Sequence, residues 1–151
     1  GLNAIGRGVI TLEDSTLNGP ALVNLRHDYG STWEGKIVVL NCRWIPSCGD
    51  KTWPHLIGGR NDGMHDFGYP CFMPEEVEID TLYVDDSNTP DDYDGMCFFT
   101  DSDEGEEGLP DERPFPYAPC ERVIVKGLET ASGKRPSAGH AGRLKMVVKE
   151  I

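Results

Sequence analysis

Apolar and polar positions alternate along four segments of this chain, and each alternation changes phase at its fifth position. The segments are Ile10-Thr11-Leu12-Glu13-Asp14-Ser15-Thr16-Leu17, Ile37-Val38-Val39-Leu40-Asn41-Cys42-Arg43-Trp44, Val77-Glu78-Ile79-Asp80-Thr81-Leu82-Tyr83-Val84 and Val123-Ile124-Val125-Lys126-Gly127-Leu128-Glu129-Thr130. Period-two alternation predicts strands with one buried face. A straight strand has no reason to shift phase. A strand that bends sharply and continues does, because the bend returns successive side chains to one interior. The predicted bend file is Asp14, Asn41, Thr81 and Gly127, and the residues after it (Ser15, Cys42, Leu82, Leu128) are expected inside.

A fifth strand is predicted at Leu144-Lys145-Met146-Val147-Val148, so the copies are spaced 27, 40, 46 and 21 residues apart. Each of the first three intervals carries a second apolar segment: Ala21-Leu22-Val23-Asn24-Leu25, His55-Leu56-Ile57 and Met96-Cys97-Phe98-Phe99. Repetition of this kind predicts an all-β, right-handed parallel β-helix of four to five rungs with long loop insertions. An antiparallel β-sandwich accounts for the strand content but not for the shared phase shift. Were the stack to begin near Val9, its first strands would be an unshielded edge, which upstream β-helix or a neighbouring subunit would be expected to cover.

Three stretches carry a family resemblance: Leu25-Arg26-His27-Asp28-Tyr29-Gly30-Ser31-Thr32-Trp33-Glu34-Gly35, then Asn41-Cys42, then His65-Asp66-Phe67-Gly68-Tyr69. They resemble poorly characterised bacterial proteins of the pectate-lyase-like right-handed β-helix superfamily, over roughly Asn3 to Gly133. The resemblance implies one domain over residues 1–151, placed toward the C-terminal end of a longer coil, and an extracellular or cell-surface setting. It also implies polysaccharide lyases, glycoside hydrolases, epimerases and tailspikes alongside non-enzymatic adhesins, so it speaks for the fold more than for a reaction.

Composition narrows the function classes. The net charge is −12, and twelve acidic residues with no Lys or Arg fall between Asp85 and Glu112, leaving fourteen acidic against fourteen basic residues elsewhere. Such a block repels nucleic-acid phosphate and anionic membrane surfaces. No apolar run reaches eighteen residues, so no membrane insertion is expected. Five cysteines (Cys42, Cys48, Cys71, Cys97, Cys120) contain no CxxC pair. They read as small buried hydrophobes, with a Cys42–Cys48 disulfide as the alternative. Residues 101–116 read as an acidic, mobile loop.

Leu22-Val23-Asn24-Leu25-Arg26-His27-Asp28 and Leu56-Ile57-Gly58-Gly59-Arg60-Asn61-Asp62 match at four of seven positions. Equivalent placement on adjacent rungs would bring Arg26 beside Arg60 and Asp28 beside Asp62. Two carboxylates one strand apart suit a retaining glycosidase, with arginines gripping a uronate. An Arg–Asp salt-bridge ladder is the structural alternative. His27 and His65, next to Asp28 and Asp66, are candidate bases or turn residues, and Tyr29 and Tyr69 candidate acids or packed aromatics. Trp44 belongs to the core; Trp33 and Trp53 are sugar platforms or covers for a core edge. Asp85 and Asp86 could contribute to a calcium site, although EF-hand spacing is absent; no other cofactor is expected. The pectin-hydrolase signature is not matched, since Asp85-Asp86, Gly139-His140-Ala141 and Arg143-Leu144-Lys145 lack the Asn-Thr-Asp triplet.

The expectation is an extracellular β-helix that binds polysaccharide through Arg26, His27, Tyr29, Trp33, Arg60, His65, Asp66 and Tyr69, with Asp28 and Asp62 as the catalytic pair if any bond is cleaved. A structural or adhesive module is the competing class.

Overall fold

Bends at equivalent positions let the chain return to the same sheets repeatedly. The computed structural model describes residues 5–26, 32–48, 54–60, 68–69, 71–72, 74–99, 117–118, 120, 122–137 and 147–150. Among them there is no helix, and every named strand pair is parallel. The strands are β1 (Ile5–Gly6), β2 (Val9–Glu13), β3 (Thr16–Gly19), β4 (Ala21–Arg26), β5 (Thr32–Trp33), β6 (Lys36–Pro46) and β7 (His55–Arg60). They continue with β8 (Cys71–Phe72), β9 (Glu76–Val84), β10 (Cys97–Phe99), β11 (Tyr117–Ala118), β12 (Arg122–Val125), β13 (Leu128–Thr130) and β14 (Val147–Glu150).

The largest sheet runs β14-β12-β9-β6-β2, with β13 on β9 and β3 on β6. Its register sets Ile10 opposite Ile37, Ile37 opposite Val77 and Val77 opposite Val123. The predicted files are therefore present, in one direction and in one sheet. β6 and β9 pass through the bend unbroken, and burial shifts phase there: Ile37 and Val39, then Cys42 and Trp44; Val77 and Ile79, then Leu82 and Val84. Trp44 is fully buried and donates its indole N–H to Gly19 O at 3.0 Å. Ser15 and Leu128, expected inside, are only half-buried.

Three bend residues have left-handed backbone: Asp14 at φ 49°, Asn41 at 48° and Thr81 at 61°. Asp and Asn tolerate this region, but a β-branched residue is strained in it. Gly127 occupies the same file without a positive φ. Glycine serves there by size, since a Cβ would lie 3.3 Å from Thr81 N.

β4, β7 and β10 form a second parallel sheet in the order β10-β7-β4, realising the three second apolar segments. A bridge from Cys97 to Ser137 extends it. Short parallel pairs β1–β5 and β8–β11 form two further two-stranded sheets. The connections leaving β4, β7 and β10 span residues 27–31, 61–70 and 100–116, and the connection before β7 (47–54) is also longer than the single residue before β4. The acidic segment 101–116 and its expected mobility lie outside the described residues.

Two expectations are corrected. Val123 pairs with Val148, an interval of 25 rather than 21. The two registers differ by an even number of residues, and even slips keep the same side chains on the buried face, so alternation alone could not separate them. Cys42, Cys48, Cys97 and Cys120 are free thiols, so the Cys42–Cys48 disulfide is absent. The Cys42 thiol instead faces the carbonyls of Leu12 and Leu40.

Gly35 lies against the backbone of Gly8: a Cβ there would sit 1.8 Å from Gly8 O and 2.6 Å from Gly8 N. Gly35→Ala is expected to cost about 3 kcal/mol or more in urea unfolding followed by tryptophan fluorescence, because backbone rather than a flexible side chain must move. Thr81→Asn is expected to stabilise by about 1 kcal/mol in the same assay, by relieving the left-handed strain. An unchanged midpoint for either variant contradicts the corresponding contact or strain.

Candidate functional site

Alternation puts every second residue of the large sheet outside, and the outer rows carry most of its charge. Lys36, Glu76 and Arg122 share one row by register. Glu78 lies in the next row, opposite Val38 and Ile124. Lys36 Nζ reaches Glu76 Oε1 at 3.0 Å and also pairs with Glu78. Arg122 completes the set on Glu76, and Lys126 on Glu78. Hydrogen bonds from Arg122 first and Lys36 second hold the Glu76 carboxyl below its ordinary value; Lys126 and then Lys36 do the same for Glu78. Lys36 is raised, chiefly by Glu78 and then by Glu76. The cations and anions of this ladder are committed to one another, which gives it a structural role.

Asp85 and Asp86 follow β9, and protein donors occupy both. Asp85 accepts from Ser87 Oγ at 2.7 Å and pairs with Arg43; Ser87 first, then Arg43, lowers its carboxyl. Asp86 is 1% exposed and accepts from Tyr93 Oη at 3.0 Å, Ser132 N at 2.7 Å and Ser132 Oγ. Burial, and then the bond to Asp86, raises the Tyr93 phenol. Lys134 donates to Tyr93 O and lies over the Tyr93 ring. These contacts clasp the segment after β9 to the turn after β13. No cluster of three or more metal-ligating side chains forms among the described residues. Asp85 and Asp86, the two residues named for calcium, are thus members of a hydrogen-bonded clasp.

The predicted loop face is partly visible. Register sets Leu25 opposite Gly59 and Arg26 opposite Arg60 at the ends of β4 and β7, as the matched segments imply. His27, Asp28, Tyr29, Trp53, Asp62, His65 and Asp66 lie outside the described residues. Tyr69 is 40% exposed. Trp33 is half-buried, and its ring would lie 3.6–3.9 Å from a Cβ at Gly8 or Gly6, so it covers the β1 backbone. Its buried indole nitrogen has no hydrogen-bond partner among the described residues. Trp33 thus packs on the backbone at Gly6 and Gly8, the edge-cover arrangement named as one of its two roles.

Two hollows remain. One of about 440 Å³ borders Phe98, Val125, Leu128 and Pro136, with the cations Lys126, Lys134 and Arg135 also on its lining; Lys126 is engaged by Glu78 and Lys134 by Tyr93 O. The other, about 310 Å³, follows the bend and is lined by Asp14, Ser15, Thr16, Asn41, Cys42, Arg43, Thr81 and Tyr83. Arg43 and Tyr83 occupy the same outward position of the repeat. Their shared repeat position was the available signal. Burial raises the Cys48 and Cys97 thiols, which keeps both protonated and weakly nucleophilic.

Comparison with protein-family models, curated proteins and solved structures finds no match. No helix among the described residues is long and apolar enough to cross a membrane.

The ladder has a pH signature. Lowered Glu76 and Glu78 contribute stability that is complete above the ordinary value of 4.5 and is lost as pH falls through their depressed values. Raised Lys36 contributes stability complete below 10.5 and lost as pH rises further. Urea midpoints measured across pH should form a plateau with two falling limbs, and Glu78→Gln should flatten the acid limb. An acid limb of unchanged steepness contradicts the assignment.

Proposed function

We propose that this chain is a right-handed parallel β-helix whose loop face binds polysaccharide. The coil is supported by the repeated order of sheet visits, the parallel pairing throughout and the right-handed preference of parallel crossovers. The observation that carries the binding reading is the in-register pairing of Arg26 with Arg60. It brings two loop-entry arginines to adjacent strands, about 4.8 Å apart along the sheet. Like charges opposite one another are unfavourable unless an anion lies between them.

Asp28 and Asp62 could supply that anion from the chain, which makes a ladder; a uronate carboxylate could supply it from a ligand. His27, Tyr29, His65, Asp66 and Tyr69 belong to the same two connections and complete the proposed face. Cleavage through Asp28 and Asp62 is the catalytic extension of this reading, as a lyase or glycoside hydrolase. An extracellular or cell-surface location follows from the ligand class.

A structural or adhesive module is the second reading. It is favoured by the self-neutralised ladder around Glu76 and Glu78 and by Trp33 lying against its own chain. Such a module would continue upstream or associate with a second copy along β2, which pairs only with β6 among the described strands.

Affinity electrophoresis against polygalacturonate, alginate, xylan and β-glucan separates the two. The binding reading expects retarded migration on at least one polymer, and Arg60→Ala should weaken it about tenfold, the loss of one charge-assisted contact. Uniform migration on all four polymers favours the structural module.

A further inference from the structure

The groove along the bend is a different surface from the loop face, and every residue lining it is described. Its floor is the rigid file Asp14, Asn41 and Thr81, where Asn41 Nδ2 donates to Asp14 Oδ1 at 2.6 Å. Beside the floor runs the outer row Thr16, Arg43, Tyr83 and Glu129, fixed by register. Tyr83 is 40% exposed in a row whose other members are Thr16, Arg43 and Glu129. The Arg43 guanidinium lies 6.0 Å from the centre of its ring and is anchored by Asp85. An exposed aromatic held in place by a neighbour, next to a line of amide, hydroxyl and carboxylate groups, is suited to an amphipathic, hydroxyl-rich ligand.

Charge narrows the ligand. Arg43, the one cation lining the groove, is already paired with Asp85, whereas Asp14 offers a carboxylate. A uronate or sulfated chain would meet a negative floor and no uncommitted positive partner there. A neutral sugar carries hydroxyls that donate to Asp14 and exchange hydrogen bonds with Asn41, Thr16 and Thr81. The floor repeats one such group per strand, about every 4.8 Å, comparable to the length of one hexose unit in an extended chain.

We infer that the groove lined by Asp14, Asn41, Thr81 and Tyr83 is a binding subsite for a neutral, extended polysaccharide, with the Tyr83 ring as its stacking platform. The subsite does not depend on the loop face. The Tyr83 ring supplies the apolar contact, the bend file reads hydroxyls, and Arg43 lies over the ring.

Isothermal titration of the chain with xylan and β-glucan oligosaccharides, and with oligogalacturonate, tests this inference. Neutral oligosaccharides should bind and the uronate should bind more weakly at this groove. Tyr83→Ala should weaken neutral binding by about fivefold or more, the range of an aromatic contact. Tyr83→Phe should stay within about twofold, which also guards against a folding defect, and Arg60→Ala should leave neutral binding unchanged. Four outcomes overturn the inference: neutral binding lost in Arg60→Ala but retained in Tyr83→Ala, equal losses in Tyr83→Phe and Tyr83→Ala, uronate binding more tightly than neutral sugar through Tyr83, or no neutral binding. The first leaves the loop-face reading standing and removes only the groove.

Discussion

Backbone hydrogen bonds cross the bend from one pass to the next: Asp14 N to Leu40 O at 3.1 Å, Arg43 N to Ser15 O at 2.9 Å, Leu82 N to Gly127 O at 2.9 Å and Lys126 N to Ile79 O at 2.8 Å. Pairing is thus maintained where the strands change direction. A bend that loses its ladder would leave buried backbone groups unsatisfied, at a cost comparable to several side-chain contacts. Holding that ladder fixes the register on both sides of the corner. The register in turn stacks Ile37 on Val77 on Val123, and Trp44 on Val84, into continuous apolar files. The outer rows inherit the same register, which is why Lys36, Glu76, Glu78, Arg122 and Lys126 interlock although up to 90 residues separate them.

How far the sequence foretold this depends on parity. The shift from one alternation phase to the other happens only at a bend, so Asp14, Asn41 and Thr81 could be located without coordinates. Intervals of 27, 40 and 46 followed from aligning those shifts. The last strand has no such shift within its described residues, and a slip of four positions left its alternation intact. β1, β5, β8 and β11 are two residues each, too short to leave a periodic trace. Gly127 was grouped correctly by position but for another reason, since space rather than dihedral freedom is what the file requires of it.

The chemistry was less legible than the fold. Asp86 looked like one more member of an acidic run, because its partner Ser132 lies 46 residues away and nothing local marks the contact. Trp33 read as a platform or as an edge cover, because a tryptophan among glycines reads equally well as exposed or as packed on bare backbone. The Arg26–Arg60 pairing was legible, since two matching segments on adjacent strands carry their own alignment. The bend groove was missed because alternation classes Tyr83 and Arg43 as outward residues and says nothing about which outward residues share a hollow.

The connections leaving β4, β7 and β10 occupy 5, 10 and 17 residues. Closure entropy rises by only about 0.6 kcal/mol per doubling of a loop. An architecture whose strands are registered by their own ladder can therefore let this face lengthen from pass to pass almost without thermodynamic penalty. The scaffold and these connections are energetically decoupled, so the connections can change in length and sequence while the files beneath them stay as they are.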